Sequence, residues 1–242
     1  MKRYLICSGK GGVGKSTLSV CIARALCARG KSVLLTDCDV GLRALDLLTG
    51  LGQSAVYTWQ DVLSENCTLS DAILTDSAGR LSLLMPPAAL DGPLSAEAFS
   101  AMLEKASVDF DFCFLDAGAG IDGIVPTLAN VSDAALVVAT PDSVSARAAA
   151  KTAEMLWQTL PPERLRLLLN RYSVSAVRDG VNLCADDMID ETGVRFLGAV
   201  PEDVGLHVLP CGKDMSSRTA AAFNRIAARL LGEPVPFSVR KL

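Results

Sequence analysis

Short runs of apolar residues recur along the chain, at positions 4–7, 32–36, 81–85, 110–115, 134–139, 165–169 and 196–200. Each run is four to six residues long and rich in valine, leucine, isoleucine or phenylalanine. Because apolar residues are nearly continuous within the runs, the pattern predicts strands that are covered on both faces, as in a parallel sheet.

Longer segments with helical spacing separate these runs. The segment 16–29 carries apolar residues at 18, 21, 22, 25 and 26 and is followed by Gly30, which favours a helix end. Segments 143–160 and 215–231 predict two more helices, which end before Pro161 and at Gly232. The alternation predicts an α/β fold, with one mostly parallel β-sheet and helices on both faces. We expect one domain over residues 1–232 and a short tail over 233–242.

Composition narrows the class of protein. Of the 242 residues, 50% are hydrophobic and 21% charged, so the chain can bury a full core. A net charge of −4 argues against a protein whose whole surface is basic and binds nucleic acid. The eight cysteines include no C-x-x-C pair, which gives little support to a zinc or redox site. With no signal-peptide pattern and no apolar run of about 18 residues, we expect a cytoplasmic protein.

One glycine-rich segment carries candidate chemistry. Residues 9–16 read GKGGVGKS and match the phosphate-loop pattern G-x-x-x-x-G-K-[ST]. Its glycines let backbone N–H groups approach phosphate oxygens, and the helix that follows adds the positive end of its dipole. In this pattern Lys15 contacts the β- and γ-phosphates and the Ser16 hydroxyl binds Mg²⁺. The expected nucleotide-binding residues here are Gly11, Gly12, Val13, Gly14, Lys15, Ser16 and Thr17.

The loop holds a second lysine, Lys10, for which the residues alone leave a solvated role and a catalytic role equally open. The pattern K-G-G-x-G-K-[ST] resembles the deviant Walker A loop of the MinD/ParA family of ATPases. Segments 36–47, 115–121, 168–172 and 198–203 resemble, in the same order, further motifs of the division-site regulators in that family. The resemblance implies a single P-loop NTPase domain that binds ATP and Mg²⁺ and hydrolyses ATP.

The resemblance also assigns roles to charged residues. Lys10 is expected to cross a dimer interface and contact the phosphates of the partner's ATP, as an arginine finger does elsewhere. Asp39 is the expected switch residue needed for hydrolysis, and it is also an expected Mg²⁺ ligand. The expected catalytic residues are Lys10, Lys15 and Asp39. Asp116 is the expected Walker B ligand of Mg²⁺, and Asp37 supports the metal from the second shell. From the residues alone, any of these aspartates could instead cap a helix or a turn.

A separate group of residues is expected to contact the base. Asn170 and Arg171 follow an apolar run, and an asparagine amide can both donate to and accept from an adenine edge. The alternative for Asn170 is a local turn that its side chain stabilises. By resemblance, Pro201, Glu202 and Asp203 are expected to wall the other side of the base.

The match departs from the family pattern at three places. Ala44 stands where related sequences carry asparagine, and Ala117 stands where they carry serine. The division-site regulators end in a basic amphipathic helix that lies on the membrane. Here Pro234 and Pro236 forbid a helix through their positions, and only 237–242 follow. We therefore expect weak or indirect association with the inner face of the membrane.

The leading hypothesis is an ATP-dependent homodimer that recruits partners and resets by slow ATP hydrolysis, in division-site placement or related spatial positioning. Partners of the MinC or MinE type are expected at the helix over 143–160, where Arg147, Lys151 and Glu154 are exposed. Two alternatives stay open: a ParA-like partitioning ATPase that binds DNA, and a flagellar-number regulator. A DNA-binding face would use Arg218, Arg225, Arg229, Arg240 and Lys241, although the acidic pI of about 5.1 counts against it.

Overall fold

A computed structural model of the chain describes residues 1–52, 55–120 and 123–236. The strands in this part of the chain join into one sheet. They are β1 (Lys2–Cys7), β2 (Val33–Cys38), β3 (Ile73–Thr75), β4 (Leu81–Leu84), β5 (Phe112–Ala117), β6 (Ala134–Ala139), β7 (Leu165–Tyr172) and β8 (Phe196–Pro201). Their order across the sheet is β3-β4-β2-β5-β1-β6-β7-β8.

Helices connect the strands and cover both faces of the sheet. They are α1 (Lys15–Ala28), α2 (Leu45–Thr49), α3 (Trp59–Leu63), α4 (Leu69–Ala72), α5 (Ala96–Ala106), α6 (Val125–Asn130), α7 (Ser143–Leu156), α8 (Val174–Arg178), α9 (Ala185–Thr192) and α10 (Ser217–Leu230). Short 3₁₀ helices span Pro162–Arg164 and Val204–His207.

The predicted α/β fold is confirmed. Each of the seven predicted runs forms a strand, and the described pairs are parallel except that of β3 with β4. The sequence analysis missed β3 because its three residues lie at the sheet edge and are at most half-buried, so they form no apolar run. Helix α7 ends at Leu156 rather than at residue 160, because the chain turns there before Pro161.

Successive residues of the central strands point to opposite faces of the sheet, and both faces are buried. Leu5 and Leu34 pack in a core with residues of α5, α6, α7 and α9. Ile6 and Leu35 pack in a second core with residues of α1 and α10. This double burial explains why the strands read as nearly continuous apolar runs.

The topology brings the candidate residues to one edge of the sheet. Strand β1 lies between β5 and β6, and the parallel register pairs Ile6 with Asp116 and Asp37 with Asp116. The loops that follow β1, β2 and β5 therefore leave the sheet side by side. Ligands of open α/β sheets bind at such carboxyl ends.

The C-terminal part of the chain is described as far as residue 236. None of the helices in the described ranges is long and apolar enough to cross a membrane. Helix α10 ends at Leu230, and the domain boundary at 232 stays a prediction. Residues 237–242, including Arg240 and Lys241, lie outside the described residues, as does Ile121 of the 115–121 motif. Weak or indirect membrane association therefore also stays a prediction.

Candidate functional site

The glycine-rich segment connects β1 to α1 and leaves the start of that helix open. Gly14 is the residue before α1, it has a φ of 94°, and no side chain caps the helix. Gly12 also has a positive φ, of 73°. The first N–H groups of a helix lack partners within the helix, and no side chain in the described ranges caps them here. An open helix start of this kind favours an anion. The local sequence thus leaves the start of α1 open beside the loop, and phosphate binding there stays a prediction.

Lys15 opens α1 and is 8% exposed. No carboxylate in the described ranges lies within salt-bridge distance of its ammonium group. Its charge nevertheless lowers the pKa of the Cys7 thiol, although burial dominates and raises that pKa to about 12. A buried ammonium without an ion pair fits an anionic ligand at the loop.

Asn170 contacts the loop from β7, which is separated from β1 by β6. Its amide nitrogen donates a hydrogen bond to the Val13 carbonyl oxygen at 2.7 Å, and the residue is 5% exposed. A Cβ atom at Gly14 would lie 2.3 Å from the same nitrogen, so a side chain there would displace the Asn170 amide. The structure therefore places the Asn170 amide against the phosphate loop, and its contact with adenine stays a prediction.

Asp116 brings a buried carboxylate to the start of α1. It is 1% exposed, and its Oδ1 accepts a hydrogen bond from the Ser19 hydroxyl at 2.9 Å. Its Oδ2 has no hydrogen-bond partner among the described residues. Burial raises the pKa of Asp116 to about 7, and the Asp37 charge adds to the rise, while Ser16, Ser19 and Lys15 oppose it. The carboxylate oxygen without a partner is a ready ligand for a cation.

The donor set at this edge suits Mg²⁺ bound together with a nucleotide. Among the described residues no cluster of three or more histidine, cysteine or carboxylate side chains could hold a metal alone. Mg²⁺ usually takes one or two protein oxygens and completes its shell with phosphate oxygens and water. Ser16 and Asp116 supply such oxygens, so the residues present fit the metal. Their roles as ligands stay predictions.

The other two aspartates differ in what they contact. Asp37 is fully buried, and its carboxylate accepts hydrogen bonds from the backbone N–H of Asp39 at 3.0 Å and of Leu45 at 3.2 Å. Burial raises the pKa of Asp37 to about 6, although these two hydrogen bonds oppose the rise. Asp37 thereby shapes the loop that carries Asp39, which is a positioning role that the sequence motif did not reveal.

Asp39 is half-buried and lies against the segment that follows β5. A Cβ atom at Gly118 would lie 2.9 Å from Asp39 Oδ1, so this glycine allows the close approach. The sequence analysis did not single out the need for a glycine at 118. The only signal was its place in the 115–121 motif.

Lys10 lies at the opposite side of the loop and forms an ion pair within the chain. Its ammonium nitrogen is 3.2 Å from Asp142 Oδ1 and 3.3 Å from Oδ2. Asp142 also caps α7, since it accepts a hydrogen bond from the Ser145 N–H at 2.9 Å. Burial acts to raise the pKa of Asp142, but hydrogen bonds from Thr140 and Ser145 and the Lys10 charge outweigh it, so the pKa is lowered. The sequence analysis missed Asp142, although an aspartate before a predicted helix is a helix-start signal.

Beside this ion pair lies an open cavity of about 540 Å³. Its lining consists of Gly9, Gly120, Ser143, Val144, Arg147, Ala148 and Lys151. Arg147, Lys151 and Glu154 are exposed along α7, as expected from the sequence. The phosphate loop and the exposed face of α7 therefore border the same open space.

A second cavity, of about 670 Å³, lies at the carboxyl ends of β7 and β8. Its lining consists of Tyr172, Ser173, Val174, Ser175, Arg178, Pro201, Glu202, Val204 and Arg218. Two predicted base-contacting residues, Pro201 and Glu202, therefore face an open space. Arg171 is exposed and has a positive φ of 55°. The contacts of all three residues with a base stay predictions.

Asp203 serves the local structure in this region. Its carboxylate accepts hydrogen bonds from the backbone N–H of Gly205 at 2.9 Å and of Ser216 at 2.8 Å. Burial acts to raise the pKa of Asp203. These bonds and those from the Thr219 and Ser216 side chains outweigh burial and lower the pKa to about 2. It ties the segment after β8 to the start of α10, and its predicted contact with the base remains untested.

Comparison with known proteins gives consistent results. The model of the CobQ/CobB/MinD/ParA nucleotide-binding domain matches residues 4–214. The septum site-determining protein MinD of Bacillus subtilis is 33% identical, over 97% of this chain and 91% of the relative. MinD of Synechocystis is likewise 33% identical, over 96% of this chain and 90% of the relative.

A solved structure agrees with these relatives. It is a chain of the MinC:MinD cell division protein complex of Aquifex aeolicus, with a TM-score of 0.87 and 30% identity. The match covers 98% of this chain and 99% of that one. With the open phosphate loop described above, these similarities identify the chain as a member of the CobQ/CobB/MinD/ParA nucleotide-binding family.

Proposed function

We propose that the chain is a MinD-like ATPase switch that acts in division-site placement. It binds Mg·ATP, forms a homodimer, recruits a partner and resets by slow ATP hydrolysis. One observation carries this proposal: the uncapped start of α1 begins with the buried residue Lys15, and the buried Asp116 Oδ2 nearby has no hydrogen-bond partner among the described residues. The similarity to septum site-determining proteins over nearly the whole chain supports the biological role.

In this proposal the nucleotide binds along the loop between β1 and α1. The backbone N–H groups of residues 11–17 and the Lys15 ammonium bind the phosphates. Ser16 and Asp116 hold Mg²⁺, which neutralises charge on the phosphate oxygens. Asp39 orients the attacking water, and Asp37 holds the Asp39 loop through its two backbone hydrogen bonds. Asn170, Arg171 and residues 201–203 enclose the base.

In the proposed dimer, Lys10 contacts the phosphates of the nucleotide bound to the partner. In the isolated chain the Lys10 ammonium is paired with Asp142, and the two side chains are 40% and 38% exposed. An ion pair this exposed contributes about 0–1 kcal/mol, so exchanging Asp142 for a phosphate group costs little. The extra charge of the γ-phosphate makes that exchange more favourable with ATP than with ADP.

The partner surface in this proposal is the exposed face of α7. Val144, Arg147, Lys151 and Glu154 offer one apolar and three charged side chains beside the phosphate loop. A regulator of the MinC or MinE type bound there would contact residues that adjoin the dimer interface. The MinC:MinD complex of Aquifex aeolicus, to which this chain is similar, supports a MinC-type partner.

The DNA-binding alternative receives less support. Arg229, one of the basic residues it needs, donates hydrogen bonds to the Leu197 carbonyl at 2.6 Å and to the Val235 carbonyl at 2.9 Å. Its guanidinium therefore serves the packing of α10, and the net charge of the chain is −4.

The proposal is tested by measuring phosphate release and molar mass by light scattering, with ADP and with ATP. We expect the wild type to dimerise with Mg·ATP only and to release phosphate slowly. Lys15→Ala should stay monomeric and inactive, whereas Lys31→Ala, which removes a lysine from the segment between α1 and β2, should behave as the wild type. Equal mass of the wild type in ATP and ADP, or nucleotide binding by Lys15→Ala as tight as that of the wild type, would contradict the proposal.

A further inference from the structure

Two buried cysteines meet in the core behind the phosphate loop. Cys21 Sγ and Cys211 Sγ lie 3.4 Å apart, and the two residues are 1% and 0% exposed. Cys21 belongs to α1, and Cys211 lies in the segment between β8 and α10. All eight cysteines lie in the described ranges and are free thiols, and Cys21 and Cys211 hydrogen-bond to each other. The two cysteines are 190 positions apart and so form no local motif such as C-x-x-C. The sequence analysis therefore did not identify the pair.

The backbone around Cys211 is fixed opposite α1. The Cys211 N–H donates to the Leu48 carbonyl oxygen at 2.8 Å, and Arg24 Nη1 donates to the Cys211 carbonyl oxygen at 2.6 Å. Arg24 Nη2 also donates to the Thr49 carbonyl oxygen at 3.2 Å. Arg24 lies one turn after Cys21 on α1. The same helix therefore contacts the Cys211 backbone through Arg24 and the Cys211 sulfur through Cys21.

A disulfide is within reach of a small movement. Sulfur atoms in a disulfide are about 2.05 Å apart, so the two sulfurs need to approach each other by about 1.3 Å. Cys21 lies in the middle of a packed helix, whereas Cys211 lies in a segment without regular structure. The exposed side chains of Val204, Val208 and Leu209 show that this segment runs along the surface. Local opening of such a surface segment admits a small oxidant and allows the approach.

The electrostatics favour Cys211 as the reactive thiol. The hydrogen bond from Cys21 lowers the pKa of Cys211, and the Arg24 charge adds to this effect, although burial opposes it. The same hydrogen bond and burial raise the pKa of Cys21. A thiolate is the form that reacts with an oxidant.

We propose that Cys21 and Cys211 form a redox site that closes to a disulfide in the presence of a peroxide and tethers the segment after β8 to α1. The Cys211 thiolate attacks one peroxide oxygen, the O–O bond breaks, and a sulfenic acid and hydroxide form. The Cys21 sulfur then attacks the Cys211 sulfur, the S–O bond breaks, and water leaves. Overall, hydrogen peroxide is reduced to two waters while the two thiols are oxidised.

The test treats the reduced full-length chain with hydrogen peroxide and then alkylates the remaining thiols with N-ethylmaleimide in denaturant. We expect the number of alkylated cysteines to fall from the eight present to six, with a peptide pair that joins Cys21 to Cys211 and separates on reduction. On a non-reducing gel the product should remain monomeric. A loss confined to the partly exposed Cys27, Cys67 and Cys184, or a cross-link between chains, would overturn the proposal.

Matched variants locate the site. Cys211→Ser should keep its seven thiols after peroxide treatment. Cys27→Ser removes another thiol of the same helix and should still lose two, retaining five. Hydrogen exchange supplies a readout that does not depend on a variant's folding: amides of residues 203–214 in the wild type should exchange more slowly after oxidation. Unchanged exchange in protein shown to be cross-linked would overturn the tether.

The tether also acts on nucleotide release, and this consequence rests on the proposed function. The tethered segment begins at Asp203, next to the predicted wall of the base, so fixing it should slow release of ADP several-fold. An unchanged rate in cross-linked protein would overturn this regulatory consequence. The thiol count is made without nucleotide, so the redox site and the proposed function can fail independently.

Discussion

The two lysines of the phosphate loop have different surroundings. Lys15 is buried at the start of α1 and has no carboxylate within salt-bridge distance in the described ranges. Lys10 is half-exposed and paired with Asp142. The first arrangement is ready to bind an anion, whereas the second must exchange one anion for another. This difference makes Lys10 the residue whose contact should change with the state of the molecule.

The role of Lys10 can be separated from its effect on stability with a matched variant. Lys31 forms an ion pair with Asp111 at 3.4 Å, and these side chains are 38% and 42% exposed, close to the values for Lys10 and Asp142. We expect Lys10→Ala and Lys31→Ala each to change the free energy of unfolding by less than about 1 kcal/mol. Only Lys10→Ala should abolish the ATP-dependent increase in mass measured by light scattering. An ATP-dependent dimer of Lys10→Ala would contradict its role across the interface.

Asp116 should make the stability of the nucleotide-free chain depend on pH. Its pKa in the folded chain is about 7, above the usual value of about 3.9. Between these values the folded chain holds a proton that the unfolded chain has lost, so the free energy of unfolding falls as the pH rises from about 4 to 7. Asparagine does not titrate, and its amide oxygen can still accept from Ser19. Asp116→Asn should therefore gain stability relative to the wild type as the pH rises.

Urea unfolding at pH 4.5, 6 and 8 without nucleotide would measure this effect. The stability of Asp116→Asn relative to the wild type should increase across the series, and an exposed control, Asp91→Asn, should show no such trend. A difference of the same size at all three pH values would show that Asp116 does not titrate as described.

At the scale of elements, three of them define the candidate phosphate site. Strand β1 leads into the loop, α1 begins where the loop ends, and β7 supplies the Asn170 amide that holds the Val13 carbonyl oxygen. The loop can follow this path because Gly14 has a positive φ and no side chain. The site therefore depends on the contact between the loop and β7 as well as on the motif itself.

Glycine substitutions at the two ends of α1 isolate this contact. Gly14 and Gly30 have φ values of 94° and 82°, so alanine at either position costs about 1–2 kcal/mol in the left-handed region. A Cβ atom at 30 meets nothing within 4 Å, whereas a Cβ atom at 14 collides with the Asn170 amide. We expect Gly14→Ala to lower nucleotide affinity at least tenfold and Gly30→Ala to leave it unchanged, as measured by calorimetric titration. Equal losses of affinity would show that the Asn170 contact does not matter for binding.

At the scale of the whole molecule, the loop follows β1, a central strand of a sheet that has a buried core on each face. A ligand bound there contacts the ends of several central strands, which must separate when the chain unfolds. Binding should therefore stabilise the entire chain by its full free energy.

A thermal shift measures this coupling. At a concentration of 100 times its Kd, Mg·ADP should add about 2.7 kcal/mol to the free energy of unfolding. For a chain of this size that corresponds to a rise in Tm of about 5–10 °C. Lys15→Ala should show no rise at the same concentration, and Mg²⁺ alone should have no effect. A shift of equal size in the variant would show that ADP binds elsewhere.

Much of the fold was predictable at the level of elements. The seven predicted strands follow from local apolar runs, whose burial on both faces is visible in the sequence alone. Edge strand β3 and short helices such as α2 and α8 were missed, because they span only three to five residues and so show no clear periodic pattern. Their structure depends on neighbours that are distant in the chain.

By itself the sequence determined the alternation of strands and longer helices, the phosphate-loop motif and the family, because each of these depends on residue types at short, regular spacing. The tertiary structure alone decided the contacts of Asn170 with Val13, Lys10 with Asp142 and Cys21 with Cys211, which join positions 157, 132 and 190 apart. It also decided that one oxygen of Asp116 is buried without a hydrogen-bond partner in the described part of the chain. Such contacts depend on which strands lie side by side, and no local pattern of residues specifies that order.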